Sequence, residues 1–217
     1  SSFDQIGPIG KCPNDILAVM NIISGKDDFD STCFGKSTSY QKPTKNQPKT
    51  FAVLKDALEF PEMNTGVKRE FKKLIAHLEK QGHKINYIKI PLLKHLVPTY
   101  YILTTAEASS NLARYDGIKF GYQNKTNNSS ALTINTRSVG FGKEVKRRIL
   151  LGTYVLSEGY YDAYYTKAQK IRRLIQEKTK NILLKNDYIL LPTTPNIPFK
   201  AGAKNLTPTQ LYFEDVF

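Results

Sequence analysis

Residues 51–90, "FAVLKDALEFPEMNTGVKREFKKLIAHLEKQGHKINYIKI", decide the fold class. They begin with a short apolar run, 51–54, whose composition is typical of a buried strand. A helix that Asn64 or Thr65 can cap follows, and residues 85–90 then alternate as a strand does. The helix is marked by an apolar stripe and a glycine stop: Val67, Phe71, Leu74, Leu78 and Gly82. Strand, helix and strand at this spacing form a crossover unit, so the sequence predicts an α/β fold.

The rest of the chain extends this pattern. Residues 14–25 and 99–113 are predicted helices, and residues 187–191 are a further strand. Residues 26–50 are polar and lack periodicity, which predicts a long loop or linker. Because no internal repeat and no second composition class is visible, the sequence predicts a single α/β domain over residues 1–217.

The chain is strongly basic, with a net charge of +13 and a pI of about 9.6. Clustered lysine and arginine would indicate a nucleic-acid partner, because they bind phosphates with release of counterions. Here the cations are spread over every segment. That pattern also fits a genome that places lysine at any surface position, so direct RNA contact is the weaker interpretation.

Metal and membrane functions find no support in the sequence. Cys12 and Cys33 are the only cysteines, and His77, His83 and His95 are scattered, so neither zinc spacing nor a Cys/His couple is present. We therefore predict two thiols and no metal site. No apolar run approaches the roughly 20 residues that cross a bilayer.

A helix over residues 141–156 places one arginine at the edge of its apolar side. Its apolar residues share one face when the chain turns about 100° per residue: Phe141, Val145, Ile149, Gly152 and Leu156. Lys143, Lys146 and Arg147 lie opposite, in water. Arg148 is one turn from Val145 and from Gly152, and Gly152 leaves room for a ligand or a close backbone.

Three interpretations of Arg148 follow from the residues. Its aliphatic stem can cover the core while its charged group stays in solvent. It can form a buried ion pair with an acid such as Asp162. Or its guanidinium can point into a cleft and take a carboxylate in two hydrogen bonds.

The next segment carries aromatic residues at helical spacing. The stripe consists of Tyr161, Tyr164, Tyr165, Ala168, Ile171 and Ile175. Such a stripe is typical of a helix that packs on the core, so we predict that these side chains are core residues. Four cations, Lys167, Lys170, Arg172 and Arg173, are predicted to form its solvated flank.

Several motifs together resemble a known family. "ASSNLARYDGIKFGYQ" (108–123), "GFGKEVKRRILLGTYVLSEGYYDAYYTKAQK" (140–170) and "ILLPTTP" (189–195) closely resemble the amidase signature family. Within it they resemble the A subunits (GatA) of glutamyl-tRNA(Gln) amidotransferases. The resemblance implies an α/β fold with a mixed β-sheet flanked by helices. It also implies a glutaminase, which hydrolyses the side-chain amide of glutamine and passes ammonia to a partner subunit.

The resemblance also separates the catalytic from the binding residues. The family's reaction uses a serine nucleophile, a second serine in a cis peptide and a lysine, which lie on an upstream lysine segment and a Gly/Ser-rich segment. Neither segment is present here, and no two glycines are adjacent. We therefore expect an interior fragment without a catalytic residue of its own, inactive in isolation.

Three residues match the family's glutamine pocket. Tyr100 in "PTYY" corresponds to a tyrosine of the pocket, Arg148 in "EVKRR" to the arginine that takes the α-carboxylate, and Asp215 in "LYFED" to the aspartate that takes the α-ammonium. One position departs from the pattern, because Val139 in "TRSVGFG" stands where the family has glutamate.

The same resemblance implies the cofactors and partners. We expect no cofactor in this chain, while the whole complex uses ATP and Mg. The implied partners are amidotransferase subunits B and C, glutamine, and charged tRNA reached through the complex, in the cytoplasm of a bacterium or in an organelle. The alternatives are a non-catalytic scaffold or tRNA-contacting module, which the charge of +13 motivates, and an amidase of the same family that acts on another amide.

Overall fold

The computed structural model describes residues 2–3, 5–33, 39–41, 47–124 and 128–202. The chain divides into two compact units, Ser1–Gln47 and Pro48–Phe217, and each is described by itself. The single domain expected over the whole chain stays a prediction.

The first unit contains one described helix, α1, over Pro13–Ile23. It begins one residue earlier than predicted, because proline needs no hydrogen-bond partner for its nitrogen in the first turn. Asn21 exchanges two hydrogen bonds with the backbone of Tyr40, its Nδ2 donating to the carbonyl at 3.1 Å and its Oδ1 accepting from the amide at 2.7 Å. Residues 26–33 form turns without regular structure, as predicted.

The second unit is built on a three-stranded sheet. Its strands are β1 (Thr50–Leu54), β2 (Lys84–Ile88) and β3 (Tyr188–Leu190). The order is β2-β1-β3, and β1 pairs in parallel with both neighbours. The predicted α/β class, with helices around a sheet, is confirmed.

The rest of the second unit is mainly helical. They are α2 (Lys55–Leu58), α3 (Thr65–Lys80), α4 (Leu96–Leu112), α5 (Ser129–Gly140), α6 (Lys143–Val155) and α7 (Lys167–Leu183). A 3₁₀ helix, Pro91–His95, precedes α4, and a π-helical turn, Tyr161–Thr166, precedes α7.

The central strand β1 is buried on both faces, because successive side chains of a strand point to opposite sides. Ala52 and Leu54 pack on one side with Ile182 of α7. Val53 packs on the other side with Phe71 and Ile75 of α3. The sheet is therefore covered by α3 on one face and by α7 on the other.

Helix α3 confirms one prediction and corrects another. Asn64 caps it, because its Oδ1 accepts from the amide of Gly66 at 2.8 Å. Phe71 of the predicted stripe is buried, but the stripe is wrong at one position, since Ile75 is buried and Leu74 is 42 % exposed. The face that meets the sheet runs through Phe71 and Ile75, which contact β1.

The predicted aromatic core stripe is wrong for its first members. Tyr161 and Tyr164 are 43 % and 41 % exposed, whereas Ala168 is buried. The reason is the π-helical turn over Tyr161–Thr166, which adds a residue to the turn and rotates these side chains away from the face that α7 buries. The four cations of the predicted solvated flank are exposed, as expected.

Candidate functional site

The site is built on two helices, α4 and α6, that meet at Gly152. A Cβ atom at this position would lie 2.0 Å from the carbonyl oxygen of Thr105 and 2.6 Å from the Cβ of Ser109. No side chain fits in that space, so the glycine is what lets the two backbones touch. Of the two roles considered for Gly152, room for a ligand or a close backbone, the structure shows the second.

The contact extends along both helices. Beyond Gly152, the hydroxyls of Ser109 and Thr153 lie 3.0 Å apart, within hydrogen-bond distance. One turn before it, Arg148 lies near Tyr101 and Tyr100, close enough for both phenols to act on its pKa. The close crossing thus places Arg148 of α6 beside the tyrosine pair of α4.

The apolar and the polar face of α6 are as predicted. Gly152 of the predicted apolar side is buried, and Val155, which the prediction did not include, is buried as well, while Lys143, Lys146 and Arg147 are exposed. The side chain of Arg148 is 38 % exposed, between these two groups. Its position at the edge of the apolar side is confirmed.

Arg148 is paired, but not with the acid that the sequence suggested. Its Nε donates to Oε1 of Glu144 at 3.0 Å, one turn earlier on α6. The carboxylate of Asp162 instead accepts from the hydroxyl of Thr166 at 2.9 Å. An ion pair between Arg148 and Asp162 is therefore wrong, because α6 supplies a carboxylate from within its own sequence.

The electrostatics hold the guanidinium in its charged form. The pKa of Arg148 is raised, first by the hydrogen bond to Glu144 and by that carboxylate's charge, and further by Tyr101 and Tyr100, while partial burial opposes the shift. Arg148 therefore offers a permanent positive charge next to two aromatic rings.

Glu144 is a site residue that the sequence reasoning missed. It accepts two further hydrogen bonds from Arg147, whose Nε lies 3.0 Å from Oε2 and whose Nη2 lies 2.9 Å from Oε1. Hydrogen bonds from Arg147 and then Arg148 lower the pKa of Glu144, so it stays ionised. The signal is present in the sequence, because a glutamate four residues before an arginine is a favourable helical pair.

The second part of the site is the tyrosine pair of α4, Tyr100 and Tyr101. The rings of Tyr100 and Tyr101 are 5.5 Å apart and meet edge to face. Both residues are half-buried on α4. Both phenols raise the pKa of Arg148, so Tyr100 and Tyr101 lie within electrostatic range of that residue.

Other site predictions find less support. Asp215 lies outside the described residues, so its pairing with Arg148 stays a prediction, as do the glutamine-binding roles of Tyr100 and Arg148. Val139 on α5 is 64 % exposed, and the structure gives no account of its departure from the family pattern.

Two cavities lined by described residues lie in the second unit, and neither has Arg148 or Tyr100 in its wall. The larger cavity has a volume of about 510 Å³. It is lined by residues that follow the carboxyl ends of β1 and β2 along the chain, among them Asp56, Phe60 and Lys94. The smaller, about 150 Å³, lies between Tyr115 and Phe141.

The described part of the chain holds no group of three or more His, Cys, Asp or Glu residues arranged to bind a metal ion. No helix within the same residues is long and apolar enough to cross a membrane.

Comparisons with known proteins agree on one family. The sequence profile of the amidase family matches residues 1–217. The chain is 45 % identical to the A subunit of glutamyl-tRNA(Gln) amidotransferase from Sulfurihydrogenibium sp. (strain YO3AOP1), covering 100 % of this chain and 45 % of that protein. It is 44 % identical to the protein of the same name from Ruminiclostridium cellulolyticum, covering 100 % of this chain and 46 % of that protein.

A solved structure is similar in fold. The crystal structure of the A subunit of glutamyl-tRNA(Gln) amidotransferase from Thermotoga maritima superposes with a TM-score of 0.73 at 36 % identity. The match covers 100 % of this chain and 43 % of that chain. The present chain thus spans less than half the length of the relatives it matches.

Proposed function

Because this chain belongs to the amidase family, we propose that it forms the glutamine-binding part of a glutaminase subunit. The whole subunit hydrolyses glutamine and supplies the ammonia that converts Glu-tRNA(Gln) to Gln-tRNA(Gln) for translation. The similarity to proteins named as A subunits of glutamyl-tRNA(Gln) amidotransferase supports this assignment.

The observation that carries the proposal is the position of Arg148. Its side chain is half-buried on a helix that Gly152 brings into backbone contact with α4, the helix that carries Tyr100 and Tyr101. We assign to it the α-carboxylate of glutamine, to Tyr100 a place in the pocket wall, and to Asp215 the α-ammonium.

Selectivity for free glutamine follows from these charges. Each charge-assisted hydrogen bond contributes about 1.5–3 kcal/mol. An acyl amide lacks both charges, so it would leave the arginine and the aspartate desolvated without partners. A site with a fixed cation and a fixed anion therefore favours a free amino acid over a simple amide.

The chemical step requires residues from another segment. The family resemblance implies a serine nucleophile, a cis-peptide serine and a lysine, and these 217 residues lack the Gly-Gly-Ser context for them. We propose that this chain contributes no catalytic residue and is inactive alone.

The remaining partners belong to the assembled enzyme. We propose that subunits B and C complete it, that ATP and Mg serve the activation of glutamate on tRNA(Gln) in a partner subunit, and that charged tRNA is reached through the complex. The cytoplasm of a bacterium, or an organelle, is the proposed location.

The test is Arg148→Ala in the full-length protein within its assembled enzyme. We expect the kcat/KM for glutamine to fall roughly 100-fold or more, since two charge-assisted bonds are lost. Arg173→Ala is the matched control, because Arg173 also donates from Nε to a glutamate four residues away, at 2.6 Å, but on the exposed side of α7. It should leave the kinetics of glutamine unchanged.

Unchanged glutamine kinetics in Arg148→Ala would refute the carboxylate role. The alternative, a tRNA-contacting module, would then have the charge of +13 in its favour. That alternative requires tRNA binding that weakens steeply with salt.

A further inference from the structure

We propose that Glu144 is a positioning residue that orients the guanidinium of Arg148 toward an incoming carboxylate. This inference rests on the proposed function, because it concerns how the same arginine meets the α-carboxylate of glutamine. Glu144 acts through Arg148 and does not itself touch the substrate.

The first step of the argument is the edge of the guanidinium that Glu144 occupies. An arginine offers one N–H at Nε and two at each terminal nitrogen. Glu144 takes the Nε edge at 3.0 Å, and Arg148 makes no other hydrogen bond within the described residues. A second carboxylate must therefore approach end-on, through the two terminal nitrogens.

The second step is that Glu144 is itself held. Arg147 binds it with two hydrogen bonds, at 3.0 and 2.9 Å, so the carboxylate has a fixed orientation on the helix surface. The three side chains lie within two turns of α6 and need no ligand to assemble. Arg148 is thereby pre-oriented, which lowers the entropy that a ligand must remove when it binds.

The third step is charge. The cluster contains two guanidinium groups and a single carboxylate, and Oε1 of Glu144 accepts from both of them. Glu144 thus shares its charge between Arg147 and Arg148, which leaves Arg148 part of its attraction for a second carboxylate. A lone Glu144–Arg148 pair would be neutral.

The fourth step is that this cluster of ion pairs contributes little to the free energy of unfolding. The side chains of Glu144, Arg147 and Arg148 are 52 %, 43 % and 38 % exposed. Exposed ion pairs contribute little to folding because water and salt screen them. The effect of Glu144 should therefore appear in substrate binding while the unfolding temperature stays unchanged.

The experiment compares Glu144→Ala and Glu144→Gln in the full-length protein within its assembled enzyme. Three substrates are assayed: glutamine, glutaramate, which keeps the carboxylate but lacks the amine, and γ-aminobutyramide, which keeps the amine but lacks the carboxylate. We expect Glu144→Ala to raise the KM for glutamine and glutaramate about tenfold, the effect of one charge-assisted bond, with kcat largely kept. The kcat/KM for γ-aminobutyramide should not change.

Glu144→Gln should raise the KM for glutamine less than Glu144→Ala does, because its amide oxygen still accepts from Nε of Arg148. Glu177→Ala is the matched control, since Glu177 accepts from Nε of Arg173 at the same helical spacing. It should not alter the KM for any of the three substrates.

The outcomes separate this inference from the proposed function. If Arg148→Ala impairs glutamine turnover and Glu144→Ala does not, the positioning role is overturned and the proposed function stands. If Arg148→Ala has no effect, the carboxylate role that the proposed function gives to Arg148 is itself overturned. If Glu144→Ala lowers the kcat/KM for γ-aminobutyramide as much as that for glutamine, the damage is structural and the positioning role is also overturned. If the alanine variant does not fold, the same comparison is made with Glu144→Gln.

Discussion

The crossing of α4 and α6 is best tested with Gly152→Ala, which adds a single methyl group. The new Cβ would lie 2.0 Å from the carbonyl oxygen of Thr105 and 2.7 Å from its carbonyl carbon. These atoms belong to the backbone of α4, so no change of side-chain rotamer relieves the clash. The helices themselves must separate.

The magnitude follows from that distance. Ordinary van der Waals contact begins at 3.4 Å, so the Cβ–oxygen distance must grow from 2.0 Å by about 1.4 Å. Overpacking of this kind costs about 3 kcal/mol at the upper end of its usual range. Alanine regains about 1 kcal/mol through its higher helix propensity, which leaves a net loss of about 2 kcal/mol in the free energy of unfolding.

The same displacement reaches Arg148, which lies one turn from Gly152 on α6. Misplacing a binding group by about 1 Å can cost roughly 100-fold in rate. We expect Gly152→Ala to lower the unfolding temperature by several degrees and, under the proposed function, to lower the kcat/KM for glutamine.

The assay is thermal unfolding of the full-length protein together with glutamine kinetics. Gly142→Ala is the matched control, because a Cβ at the N-cap of the same helix would meet no atom within 4 Å. If Gly152→Ala unfolds at the same temperature as the wild type and hydrolyses glutamine equally well, the two backbones are not in contact and this account of the site fails.

Two further predictions concern Asn64 and Asp187, whose side chains stabilise the second unit. Asn64→Ala removes the acceptor for the amide of Gly66, so we expect a loss of about 1 kcal/mol in urea unfolding, whereas Asn64→Asp should keep most of the stability, and an equal loss in both variants would contradict the capping role. Asp187 accepts from the amide of Thr50 at 2.8 Å, and that bond, with the charge of Lys49, lowers its pKa below the usual value of 3.8. Its contribution is therefore present above pH 3.8 and is lost as the pH falls through the lower folded pKa. Acid unfolding curves of the wild type and Asp187→Asn should converge below that range, and curves that stay parallel at all pH values would rule this linkage out.

Much of the fold follows from local patterns along the chain. The alternating and apolar runs that become β1 and β2 predict the crossover unit, since a central parallel strand is buried on both faces and reads as an apolar run. The face of α6 is also predictable, because helical periodicity separates Gly152 from Lys146 without reference to any other element.

The failed predictions have a common cause. The tyrosine stripe assumes the periodicity of an α-helix, but Tyr161–Thr166 form a π-helical turn, and no composition rule signals that extra residue. The choice of Leu74 over Ile75 fails for a related reason, since adjacent apolar residues fit one helical stripe almost equally well and only contact with Val53 decides between them.

The candidate site divides in the same way. The sequence by itself determined that Arg148 lies at the edge of an apolar face and that Glu144 lies one turn before it, since both follow from the rise and rotation of a single helix. Only the tertiary structure decided that this face meets α4, and that Thr105 and the tyrosine pair stand opposite Gly152 and Arg148. Such contacts join residues more than 40 positions apart. They cannot be predicted from the sequence near either residue, because the packing of two helices, and not the geometry of one helix, brings the residues together.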